Sequence, residues 1–178
     1  MSLAGFAAWL QATSFSTTLQ STAWVVPLLQ SLHILMIGVV FVSILAVALK
    51  VLGWLRVDEP LERVWSRFAP FLWTGLVVMA TTGLLLVVTE PVRELTSISF
   101  RIKMLLLLVG IAGAVAFGRR IARLPKHLPD LQPQPALMRA AAIATVVLWL
   151  VVIFLGRAIA YDDAIWGQGE AAQDEVTG

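Results

Sequence analysis

The sequence predicts an all-α integral membrane protein, a four-transmembrane-helix bundle with an N-terminal interfacial helix, and three observations lead there. The 24 Lys, Arg, Asp and Glu residues of this 178-residue chain are crowded into a minority of it, because residues 1–49, 68–89, 104–118 and 140–156 contain none. Apolar residues make up 59% of the chain and the mean hydropathy is +0.87, whereas roughly a quarter of a soluble domain is charged. With its flanks, each charge-free run also supplies the roughly 20 residues a helix needs to cross the hydrocarbon of a bilayer.

Residues 1–20 form the interfacial helix, read over 2–20. Leu3, Phe6, Trp9 and Leu10 are interspersed with Ser, Thr and Gln, and no basic residue opens the chain as it would a secretory signal. Such a helix, polar through hydroxyls and amides, lies against a bilayer. The transmembrane domain covers 21–161, with spans over 24–51, 65–89, 98–121 and 137–161. Runs this long without polar alternation are helices, not strands. Pro60, Pro91 and the cluster Pro125, Pro129, Pro133 and Pro135 punctuate the three connections. Residues 162–178 are an acidic tail carrying Asp162, Asp163, Glu170, Asp174 and Glu175.

Orientation follows from the basic residues. Lys50, Arg56, Arg63 and Arg67 flank the first connection, and Arg119, Arg120, Arg123, Lys126 and Arg139 the third; only Arg93, Arg101, Lys103 and Arg157 fall on the other side. Nine against four predicts the first and third connections in the cytoplasm. In a bacterial inner membrane both termini then face the periplasm. The net charge of +2 does not point to nucleic acid, because the basic residues sit in short segments beside apolar runs. The absence of cysteine excludes disulfides, thiolate metal sites and thiol catalysis. No Gly-rich phosphate loop, Ser/His/Asp set or intramembrane carboxylate pair is present, which argues against nucleotide and hydrolase chemistry.

Polar groups inside a span are functional candidates by default. His33 lies in span one with Gln30 three residues before it on the same face. Arg101 and Lys103 open span three and Arg157 closes span four, all at the His33 end. Gly75 and Gly83 bracket Met79 in span two, and Gly110 and Ala114 lie below Lys103; such small residues let helices approach or leave a flat slot for a planar ligand. Neutral imidazole is an axial ligand of haem iron, and propionates need cationic partners. The pattern therefore points to haem b, with His33 on the iron, Met79 as a thioether sixth ligand, and Lys103, Arg101 and Arg157 near the propionates. The protein would exchange electrons with quinone or a periplasmic partner, as a homo-oligomer or a subunit of a membrane complex. Two other readings stand beside it: a membrane anchor or scaffold in which His33 packs helices, and a copper-handling protein. His127, in a basic Pro-rich loop, reads as headgroup-facing.

The runs LLQSLHILMIGVVF, TTGLLLVV, FRIKMLLLLVGIAGAVAF and WLVVIFLGRAIAY resemble a family of small bacterial four-helix membrane proteins of unknown function. More remotely, a histidine in span one, Gly-Leu-Leu near the end of span two and a lysine opening span three are similar to the HemJ-type protoporphyrinogen oxidases and to the membrane domain of copper resistance protein D. The first resemblance implies haem b held by His33 with Lys103 as its partner; the second implies copper handling. The aromatic-rich segment ending in Pro-Arg that follows the HemJ histidine is replaced here by ILMIGVVFVSILAVALK.

Overall fold

The computed structural model describes residues 3–55, 59–123 and 134–161, so Arg56, Lys126, His127 and the acidic tail lie outside the described residues. Those described form seven α-helices and a 3-10 turn, with no strand among them. They are α1 (Leu3–Gln11), α2 (Ser14–Ser21), α3 (Val25–Leu52), α4 (Leu61–Thr89), α5 (Pro91–Thr96), α6 (Ile98–Ala122) and α7 (Ala136–Ala158), the turn being Ile159–Tyr161. Four of them, α3, α4, α6 and α7, are long and apolar enough to cross a membrane.

Local chemistry sets the boundaries. Gly53 ends α3 at φ 77°, the one left-handed residue among those described, and its N–H reaches the Lys50 carbonyl at 3.1 Å. Glycine takes that conformation without a Cβ penalty. Pro60 and Pro135 sit in extended backbone immediately before α4 and α7, and Ser97 caps α6 by accepting from the Phe100 N–H at 3.0 Å.

The N-terminal segment differs from the single helix expected, because Thr13 breaks it in two. Its hydroxyl donates to the Leu10 carbonyl at 2.7 Å and accepts from the Ser16 N–H at 3.3 Å, closing α1 and capping α2. Nor does the pair lie free of the bundle. Helix α1 packs on α5 and α2 on the end of α4. The fully buried Ser16 donates to the Val88 carbonyl at 2.7 Å, and the Gln20 amide donates to the Thr89 carbonyl. These are last-turn carbonyls of α4 that have no intrahelical donor. Helix α5 was not expected either; Pro91 at its first turn starts it, where a missing N–H is harmless.

Helices α3 and α4 pack along most of their length, α7 lies on α3, and α6 on α7, while α4 and α6 meet at few points. The order around the bundle is therefore α4–α3–α7–α6, with a loose seam between α4 and α6. The core divides into two apolar clusters. Val40, Ile44, Leu72, Leu76, Met79 and Trp149 form the central one; Val47, Val51, Leu61, Val64 and Ile121 form one toward the α3–α4 loop. At that end Trp65 closes the seam, its ring edge-to-face with Phe117 at 5.2 Å. A β-carbon at Gly118 would stand 2.8 Å from Trp65 Cζ2, whereas one at Gly113 would meet nothing within 4 Å. Gly118→Val is therefore expected to destabilise the bundle by about 1–3 kcal/mol through overpacking, with Gly113→Val near wild type; equilibrium unfolding in detergent checks the contrast.

Candidate functional site

The half-buried His33 of α3 faces α4 near the end of the bundle that α1, α2 and α5 cover. Its Nδ1 lies 2.9 Å from Thr82 Oγ1. Thr82, a buried residue of α4, has its hydroxyl 2.8 Å from the Val78 carbonyl and 3.2 Å from that of Met79. A hydroxyl has one proton; when it goes to one of those carbonyls, Thr82 accepts from His33 and the ring proton is on Nδ1. In that tautomer Nε2 keeps its lone pair. The ring edge lies over Gly83, where a β-carbon would stand 3.3 Å from His33 Cε1. Thr82 and Gly83 thus hold the ring from α4, one by a hydrogen bond and one by having no side chain.

The other two long helices contribute Lys103 and Gly156. The half-buried Lys103 of α6 extends across to α7, where a β-carbon at Gly156 would stand 3.3 Å from its Nζ. From there the ammonium is within electrostatic reach of both His33 and Glu94. Glu94 lies in α5, outside the four long helices. Burial pushes its carboxyl above the ordinary glutamate range; Lys103 and then Arg93 pull it back, and Glu90 pushes the same way as burial. A raised pKa means the folded state holds the proton more tightly, so this contribution to stability is present at acid pH and lost as pH rises through the raised value. Glu94→Gln is accordingly expected to gain stability relative to wild type between about pH 4 and about pH 7. Thermal midpoints at the two pH values test this, and a constant difference would refute it.

The remaining expected residues fall in three places. Gln30, Arg101 and Arg157 are at the same end but exposed. Met79 is enclosed, 6% exposed, in the central apolar cluster one turn below Thr82. Gly75 lies against Val40, where a β-carbon would stand 2.8 Å from Val40 Cγ2, and Gly110 against Leu148 and Trp149. Both serve helix contact in this structure. Three residues were not anticipated: Thr82, Gly156 and Glu94. Thr82 gives no signal in the sequence beyond its place next to Gly83. Among the described residues no three His, Asp or Glu side chains gather as a metal cluster.

The family described as "Family of unknown function (DUF6644)" matches residues 6–162, and the chain belongs to it. No curated protein and no solved structure matches the chain.

Proposed function

We propose that this member of the DUF6644 family is a multi-pass inner-membrane protein that binds haem b through His33 and exchanges electrons with quinone or a periplasmic partner. The observation that carries the reading is the His33–Thr82 bond. A metal-bound histidine typically donates its other ring N–H to an acceptor that fixes tautomer and orientation; Thr82 stands where such an acceptor is needed, and Nε2 would then be the ligand atom. Gly83, having no side chain, lets the His33 ring sit against α4. Lys103, close to His33, suits a propionate, with Arg101 and Arg157 at the same end nearer the interface. Bound there, haem supplies one-electron exchange. The chain's own residues hold and orient the ligand ring, balance anionic charge with Lys103, and exclude water with apolar walls. Met79 is enclosed in the apolar cluster, so the reading has His33 as the ligand from this chain, with any sixth ligand coming from a second subunit or partner.

Membrane insertion is supported by outward-facing side chains such as Leu84 and Phe154, 68% and 69% exposed, which water would not tolerate in such number. The nine-to-four distribution of basic residues supports both termini facing outward. The test is co-purification: protein extracted from membranes of haem-replete cells is expected to show a Soret band and haem b in a pyridine extract. A colourless preparation would sink the proposal.

The membrane scaffold remains a second reading, favoured by the same bond, since Thr82 and Gly83 satisfy the histidine without any ligand. It predicts that His33→Gln leaves the assembly intact with no cofactor lost. Copper handling has the thinner ligand set, one described histidine without a supporting cluster.

A further inference from the structure

A cavity of about 180 Å³ lies between all four long helices in the half of the bundle nearer the α3–α4 loop, away from His33. Val47 of α3, Phe68 and Leu72 of α4, Ala114 and Phe117 of α6 and Ala142 of α7 are among its walls. The two hydroxyls that reach it are committed: Ser43 donates to the Val39 carbonyl at 2.7 Å and Thr145 to the Ala141 carbonyl at 2.8 Å. The space thus has little polar surface to hold water. Apolar cavities of roughly 150 Å³ stay dry and take up apolar molecules. Gly113 faces into it with nothing within 4 Å of a β-carbon, so packing does not account for that glycine. The neighbouring α4–α6 seam is the most weakly packed side of the bundle, bounded at the loop end by Trp65 on Phe117.

We propose that this cavity takes one hydrocarbon chain, acyl or isoprenoid, entering from the bilayer between α4 and α6, with the chain's polar head left outside. The proposal rests on the membrane part of the preceding reading and not on His33 or haem. In the bilayer the seam opens onto lipid tails, and a lining this apolar suits a hydrocarbon chain with its head outside. An isoprenoid occupant would place a quinone's tail in the same bundle as the proposed redox site.

The experiment uses the full chain in nanodiscs doped with either a phospholipid carrying a diazirine at mid-chain or a diazirine-bearing isoprenoid quinone analogue. Crosslinks are expected within residues 68–72 and 113–117. Gly113→Phe, which projects into open space, is expected to reduce them at least about tenfold while leaving labelling of the exposed Leu105 and Leu108 unchanged. Ala141→Phe fills the cavity from the α7 wall and provides the same reading if Gly113→Phe does not fold, circular dichroism serving as the check. Labelling by the phospholipid, by the quinone analogue or by both supports the proposal and identifies the source of the chain. Labelling confined to outward faces, or equal in wild type and filled variants, overturns it. Absence of labelling at Leu105 and Leu108 as well would reject membrane insertion and the proposal with it.

Discussion

His33→Ala is expected to lower haem occupancy of the purified protein by at least about 100-fold, read as Soret absorbance per protein. In the proposed reading this removes the Nε2 ligand, and graded variants separate that from a general loss of fold. Thr82→Val keeps the shape of the side chain but leaves the Nδ1–H without its acceptor, so occupancy is expected to fall by about 10–100-fold, as for other partners of ligating histidines. Thr82→Ser restores a hydroxyl and is expected to return most of the binding. Gln30→Ala, altering an exposed residue on the same face, is expected to change little. Equal occupancy in Thr82→Val and wild type would remove the orienting role assigned to Thr82.

The second large effect is expected at Gly75. Val40 is fully buried, and its Cγ2 occupies the space of the missing side chain, 2.8 Å from where a β-carbon would be. A β-branched side chain in a helix has essentially one rotamer, so Val40 cannot swing aside and the helices must separate. Gly75→Leu is expected to destabilise the bundle by about 3 kcal/mol, at the upper end of ordinary overpacking. The effect should also travel. Gly75 lies seven residues before Thr82 and Val40 seven after His33, about 10 Å along both helices, so prying them apart at one point loosens the His33–Thr82 bond at the other. Val40→Ala combined with Gly75→Leu is expected to recover part of both losses. Additive losses in unfolding free energy would show the two sites uncoupled.

Much of the architecture was legible in the sequence, for a physical reason. A span must be long and mostly free of charge, and that signal survives any arrangement of the helices, so each of the four long helices is built around one of the charge-free runs. The start of α4 at Leu61, four residues before the expected Trp65, reflects Glu62 and Arg63 extending a helix beyond its apolar stretch. The N-terminal break was hidden because Thr13 is one hydroxyl residue among many, and only its bonds to Leu10 and Ser16 reveal a cap. Within the site, His33 and Lys103 were visible as costly groups in apolar surroundings. Thr82 was not, because a helical threonine can satisfy its hydroxyl on its own backbone and so gives no signal of need. Helical spacing accounts for the exposed cations: residues two apart do not share a face, so with Lys103 turned inward Arg101 faces out, and with Gly156 against Lys103 the adjacent Arg157 does likewise.

The central claim is that the fold holds His33 as the Nδ1–H tautomer with Nε2 presented as a ligand atom. The chain has two histidines, so ¹⁵N-histidine labelling of a His127→Gln variant leaves one imidazole to observe, in protein stripped of cofactor. A pyrrole-type resonance for Nδ1 and a pyridine-type resonance for Nε2, with coupling across the hydrogen bond lost in Thr82→Val, is the expected result. An Nε2–H tautomer or a doubly protonated ring would contradict the account.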